Sequence, residues 1–525
     1  MAVFTGLLCL FPVGCSKISG PKTVSPSFLH LALSEDPSTL DPALITDVVG
    51  GAISAKLFDG LVAFDSKGNV RPCIAESWEI LDDGKTYVFH LRKRVFFHHG
   101  REVVSDDVRK SFQRVLDLET SSARRWVLDK ILGAKSYRGE VLSGPLEGIE
   151  TPDTWTVRIR LESPYAPFLS LLAMPNAVVI PAEEAARLGK GFGQHPVGTG
   201  PFMLAAWERD KRLVLKKNPS YFAGVALVEG VEYRIIPEPW AALTEFKQGN
   251  LDWVAVPQGN LEQFLSDPSL GSRLRGNAGL NTYYLGLNCA KPPLNRPKVR
   301  KALAMAIDRE KMARVLMKQG AIPAIGPVPP ALDGKLASIP SIPYDPPLAR
   351  RWLREEGAAD LHLTLYQASS LDTLEMMEVV QSYLSRVGVT VEIVQREWSS
   401  FKEAVIRGTP DMFFLSWWAD YPDAENFLFP NFFSANAGAG GNKSRFADPM
   451  VDEMIVAANR QTDKVARDAL HRRCVQRLVD QSPWVFLWHR TEWVVTQPWV
   501  QGMEFSAVYN ADKYMTVRLV RQAAP

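Results

Sequence analysis

From Leu348 onward the chain alternates between two periods. "LARRWLREEGA" spaces its apolar residues as a helix does, and "LHLTLYQA" reads as a strand. "LEMMEVVQSYLSRVG" returns to helical spacing, "VTVEIVQREW" is extended, "SSFKEAVIRG" is helical, and "DMFFLSWWAD" is again a strand. Parallel strands need a crossover, usually a helix, so this order predicts a mixed or parallel sheet with helices on its faces. Open sheets of this kind bind ligands beyond the carboxyl ends of their strands. The last strand runs into "SWWADYPD", which puts Asp420 at such an end, just after two tryptophans. A carboxylate among aromatic surfaces is expensive to desolvate unless a cation meets it. Asp420 is therefore a candidate anchor for a cation. The alternative is that it hydrogen-bonds its own loop, as Asp does in turns.

The first half is richer in strands. "FLHLAL" suits a strand, followed by the polar loop "SEDPSTLDP". "WEIL" and "TYVFHLR" flank "DDGK", a hairpin signal. "SDDVRKSFQRVLD" reads as a helix capped by Ser105, with acids in its first turn. "TWTVRIRL" is another alternating strand, and "HPVGTGPFMLAAWERDKRLVLKKN" gives a turn and then strands. "LNRPKVRKALAMAIDREKMARVLMKQG" reads as one amphipathic helix, with Pro297 in its first turn and Gly320 at its stop. A Pro-rich run, "IPAIGPVPPALDGKLASIPSIPYDPP", should lie extended on the surface. The expected class is α/β with a β-rich N-terminal half. At 525 residues, two or three lobes are expected rather than one core.

A formal net charge of +2 offers no strong field to nucleic acid or to an anionic membrane surface. The opening "MAVFTGLLCLFPVGCSKISG" is apolar and uncharged up to Gly14, and too short to span a bilayer. Residues 1–15 read as a lipoprotein signal ending at Cys15: Gly14-Cys15 resembles a bacterial lipobox, in which the cysteine is retained and receives the lipid. Pro12 and the lack of a basic start depart from that pattern; an ordinary signal with a chance cysteine is the alternative. Cys73, Cys289 and Cys474 are odd in number and far apart, so buried free thiols are expected. The chain has no HExxH, GxSxG or GxGxxG. His98 and His99 are adjacent, and on a strand they would face opposite ways. No catalytic residue, metal or cofactor is expected, and the chain does not read as an enzyme.

Four blocks in order resemble the oligopeptide- and dipeptide-binding proteins of bacterial ABC importers, solute-binding protein family 5. They are "PCIAESWEILDDGKTYVFHLRKRVFFHHGREVVSDDV", "PVGTGPFML…LVLKKNPSYF", "YYLGLNCAKPPLNRPKVRKALAMAIDRE" and "WWADYPDAENFLFPNFF". The resemblance implies a periplasmic-binding-protein-like, type II clamp of three lobes with mixed sheets. Lobe I would comprise 26–58, 186–281 and 490–525; the β-rich inserted lobe II 59–185; and lobe III 282–489. The chain would cross between lobes I and III twice, forming a hinge. Peptide would lie between the lobes as an added strand. Asp420 would hold its α-ammonium, and the backbone of Ser416, Trp417 and Trp418 would pair with it. Trp417 and Trp398 would wall side-chain pockets, with Glu35 and Tyr283 as further contacts. Phe414 and Asp372 stand where relatives carry carboxylate-binding arginines, which leaves Arg407, Arg396 and Lys318 as candidates and implies a weakly held carboxylate end. The implied role is the substrate-binding receptor of an importer, a periplasmic monomer held to the membrane by its lipid. It would deliver oligopeptides to a permease and its ATPase, with no nucleic-acid partner. Alternatives are a surface lipoprotein with an interaction or chaperone-like role, or a receptor for murein peptides or another peptide-like solute.

Overall fold

The computed structural model describes residues 28–332 and 338–520. The expected signal and Cys15 lie outside the described residues.

Three sheets organise the chain. In the first, Phe28–Leu33 runs parallel to Gly230–Ile235, which continues antiparallel through Arg212–Lys217 to Phe202–Glu208. Alternate residues Leu29, Leu31, Leu213, Leu215, Val231 and Tyr233 turn to one face and form its core. The second sheet is antiparallel, in the order Ala75–Leu81, Thr86–Leu91, Thr156–Arg160, Ile149–Asp153. The "DDG" turn closes its hairpin, with Asp82, Asp83 and Gly84 all at positive φ. Helix Ser105–Leu116 packs Val108, Phe112 and Val115 into the same core as Phe89 and Ile159. Burying Phe112 alone contributes about 1.5–3 kcal/mol.

The third sheet has eight strands, with Trp253–Ala255, Trp484–Thr496, Asn281–Leu287, Met412–Trp418, His362–Ala368 and Thr390–Arg396 in order; Leu274–Ala278 and Ala321–Pro323 also pair with Trp484–Thr496. His362–Ala368 is parallel to both Thr390–Arg396 and Met412–Trp418, as strand–helix alternation requires. The carboxyl ends of these three strands therefore share one side.

Two local readings are corrected. Ser105 does not cap its helix: its hydroxyl donates to the Asp153 carbonyl, while Val104 N–H donates to the Asp107 carboxylate at 2.8 Å. The single helix expected to run to Gly320 is two, Pro297–Met305 and Arg309–Leu316. The break occurs because Asp308 accepts the Lys311 N–H as a new N-cap. Arg309 also turns inward, donating to the carbonyls of Ala324, Phe486 and Ile342.

Within the third sheet, the segment 279–281 is clasped to Arg490, in the middle of the long strand Trp484–Thr496. Buried Asn281 accepts the Arg490 N–H through Oδ1 at 2.8 Å and donates through Nδ2 to the Arg490 carbonyl at 3.1 Å. Gly279 N–H donates to the same carbonyl at 3.1 Å. A Cβ at Gly279 would lie 2.1 Å from the Asn281 amide nitrogen, so only glycine fits there.

Candidate functional site

Strand Met412–Trp418 is laddered unevenly. On one side every residue from Met412 to Trp418 pairs with Asn281–Leu287. On the other, only Met412 and Phe413 pair with His362–Ala368. From Phe414 to Trp418 that edge has no ladder partner among the described residues. Unpaired backbone N–H and C=O groups on an edge are a template for an added strand.

Asp420 follows this edge. Its N–H donates to Asn426 Oδ1 at 3.0 Å, which fixes the loop. Its Oδ1 accepts from Arg124 Nη1 at 3.1 Å. Arg124 lies in the body of the second sheet, 296 residues away. Its Nη2 donates to the Thr46 carbonyl at 2.9 Å, in the loop that follows the first strand of the first sheet. One guanidinium thus touches all three bodies. In this structure the cation beside Asp420 is Arg124, which the sequence pattern around Asp420 could not reveal. The only local clue was the doubled arginine in "SSARRW".

Arg124, Lys130 and Tyr165 from the second body and Trp417, Asp420 and Glu425 from the third line a cavity of about 320 Å³. Asp420 and Arg124 are partly exposed, at 27% and 21% of their side-chain surface. Below them the acids are buried. Glu425 Oε1 accepts from Tyr165 Oη at 2.8 Å, and Oε2 accepts from Tyr421 Oη. Burial raises the Glu425 carboxyl above its ordinary range. Burial also pushes Asp423 upward, but the bidentate guanidinium of Arg467, at 2.7 and 2.8 Å, more than offsets it and holds that carboxyl low. The Tyr165–Glu425 bond and the backbone bond from Ala166 N–H to the Asn459 carbonyl, 2.7 Å, both cross between the second and third bodies.

The other candidate residues are dispersed. Ser416 lies opposite Tyr283 in the ladder. Tyr283 stacks with Trp488 at 6.2 Å and meets Trp418 edge-on, forming an aromatic cluster beside the cavity residues in sequence but not on the cavity wall. Trp398 is 49% exposed, just past the carboxyl end of Thr390–Arg396, under Lys402. Glu35 is exposed, whereas its neighbour Asp36 binds the Trp207 indole N–H at 2.7 Å. Arg407 pairs with Glu403 at 2.6 Å on an exposed helix face, Lys318 pairs with Glu262, and Arg396 lies over the Tyr366 ring. None of these three basic residues lines the cavity. His98 sits in a turn, not a strand, accepting the Gly198 N–H through Nδ1. Cys73, Cys289 and Cys474 are free thiols, with Cys289 only partly buried.

A larger depression of about 520 Å³, lined by residues including Arg71, Arg92 and Lys513, lies between the first and second bodies. Its deepest charges already satisfy each other: Lys513 donates to Asp59, which also accepts from Thr199 and Tyr221. The smaller cavity is favoured because residues of two bodies wall it and the partly exposed Asp420 lines it.

A cavity walled by two α/β bodies, with an open strand edge leading to it, defines a solute-binding clamp. The family described as bacterial extracellular solute-binding proteins, family 5 Middle, matches residues 69–439. The chain belongs to that family. It is similar to di/tripeptide-binding protein 2 of Pseudomonas aeruginosa (strain UCBPP-PA14), 31% identical across 96% of this chain and 97% of that protein. Among solved structures it resembles the periplasmic binding protein DppA from Helicobacter pylori in complex with peptide STSA, with TM-score 0.78, 27% identity and coverage of 94% and 98% of the two chains. HbpA2 from Haemophilus parasuis superposes with TM-score 0.83 at 27% identity, covering 94% and 99%. The type II clamp expected from the sequence is the fold observed. No helix among the described residues is long and apolar enough to cross a membrane.

Proposed function

We propose that this chain is the peptide-capturing receptor of an ABC importer, working by enclosure and not by catalysis. The observation that carries the reading is Asp420, placed at the end of a strand whose edge is open from Phe414 to Trp418 and facing a cavity between bodies. A peptide backbone fits the open edge, and its ammonium fits the Asp420 carboxylate. At about 4 Å and an effective dielectric near 20, that charge pair is worth about 4 kcal/mol before desolvation. Main-chain pairing ignores side-chain identity, so one site serves many sequences. The H. pylori relative solved with a peptide, and the curated relative named for di- and tripeptides, support the same ligand class.

In this reading residues 26–58, 186–281 and 490–525 move as one lobe carrying the insertion 59–185, against 282–489. Cys15 carries the lipid, and a periplasmic monomer delivers its cargo to a permease driven by an ATPase. Ligand closes the clamp because it touches both sides only in the closed state. Native mass spectrometry of the protein mixed with di-, tri- and tetrapeptide pools tests the reading. Retention of peptide is expected, and a protein that retains none of the pools removes peptide from consideration.

A further inference from the structure

Resting on that peptide reading, we infer that Arg124 is the anion pole of the ligand site, so that the clamp reads a short peptide at both charged ends. The sequence pattern gave the carboxylate no partner, and the candidates Arg407, Arg396 and Lys318 are engaged elsewhere. Arg124 fills that gap from the other side of the cleft. A guanidinium carries five N–H donors. Arg124 spends one on Asp420 Oδ1 and one on the Thr46 carbonyl, which leaves three. Asp420 in turn binds Arg124 through Oδ1 only, so Oδ2 remains for an ammonium. Trp417 also lines the cavity, and its indole N–H is buried with no acceptor among the described residues. Such a buried donor calls for an oxygen.

Size sets the ligand class. Ligand pockets run from about 300 to 1,000 Å³, and 320 Å³ lies at the lower end. An extended peptide spans at most about 3.3–3.6 Å per residue, so about 7 Å for two residues. Acid and arginine in contact, each with free valences, therefore suit an ammonium and a carboxylate separated by one or two peptide units. A longer chain would carry its carboxylate past Arg124. The Thr46 contact positions the guanidinium from within its own half of the clamp, while Asp420 stands on the other half, so the two poles meet only when the cleft is closed.

The test is a competition read by mass spectrometry. Protein is mixed with equal pools of dipeptides in free, C-amidated and N-acetylated form, so side-chain preference averages out. The wild type should retain free dipeptides at least tenfold over amidated ones. Arg124→Gln should bring that ratio close to one while still preferring amidated over acetylated peptide, since Asp420 is intact. Arg124→Lys should keep part of the ratio, which separates a lost anion pole from a damaged fold. A tenfold ratio that survives Arg124→Gln overturns the inference, as does wild-type protein that holds free and amidated peptides equally; both outcomes leave the peptide reading standing. Higher affinity for free dipeptides in Arg124→Gln also overturns it, because Arg124 would then be a competitor for Asp420. Wild type that retains no pool overturns the peptide reading and the inference together.

Discussion

Removing one hydroxyl at Tyr165 should loosen the closed clamp while leaving each sheet intact. Tyr165 Oη donates to Glu425 Oε1 at 2.8 Å across the second and third bodies. Tyr165→Phe keeps the ring, which packs in the second core. A hydrogen bond to a charged group nets about 1.5–3 kcal/mol. At about 2 kcal/mol the closed-to-open ratio falls by about 30-fold, since 1.4 kcal/mol is tenfold. If the closed form is minor before ligand binds, affinity falls by the same factor, because apparent affinity scales with the competent fraction. Calorimetric titration of a retained peptide gives that factor. Small-angle scattering of the ligand-free protein separates a shifted equilibrium from a lost ligand contact. Glu425→Gln completes a double-mutant cycle: its amide can still accept from one tyrosine, but the charge is gone, so Tyr165→Phe should cost less in that background. Wild-type affinity with an unchanged scattering profile in Tyr165→Phe would refute the reasoning. So would the same loss in both backgrounds.

Asp420→Asn should weaken peptide binding by about 2–4 kcal/mol, the expected loss when one partner of an interfacial charge pair is truncated; calorimetry showing equal affinities would exclude Asp420 as the ammonium anchor. Lys513→Met should lower unfolding stability by about 3–5 kcal/mol by leaving buried Asp59 unpaired, and Asp59→Asn in the same chain should recover most of it in denaturant melts. His98 and His489 are held neutral by burial, with pKa lowered from 6.5 to about 4. The unfolded chain takes up those protons near pH 6.5 and the native chain only near 4, so stability is complete above 6.5 and is lost as pH falls toward 4. His489→Asn should flatten part of that slope in thermal melts across pH 4–7, and an unchanged slope counts against the assignment. Cys15→Ser should move the protein from the membrane to the soluble fraction, as a lipid anchor requires.

The third sheet was legible because strand–helix alternation is local and periodic: strands 362–368, 390–396 and 412–418 emerge where the spacing puts them. The hairpin through "DDG" was legible for the same reason. Long-range pairing was not. The strand Trp484–Thr496 takes partners from 253–255, 274–278, 283–286 and 321–323, and nothing in its own residues specifies them. The site divided likewise. Asp420 announced itself by an acid out of place among aromatics, whereas Arg124 sits in an ordinary polar run and meets Asp420 only because the second body folds against the third. The helix break at Asp308 was written in "IDREK", but the apolar period running across it hid the cap.

Trp484–Thr496 also has a mechanical consequence. Its first half pairs with 283–286 and 321–323 and its second half with 253–255 and 274–278, yet it is unbroken. If the halves of the clamp move, a twist about this shared strand is the motion that leaves the ladders at both its ends unbroken, as in a torsion bar. Asn281 clasps Arg490 at the strand's midpoint. Such a twist would bring every cargo, whatever its side chains, to the same closed outline. A transporter that docks this outline needs to recognise a single shape, and the variety of loads stays hidden inside it.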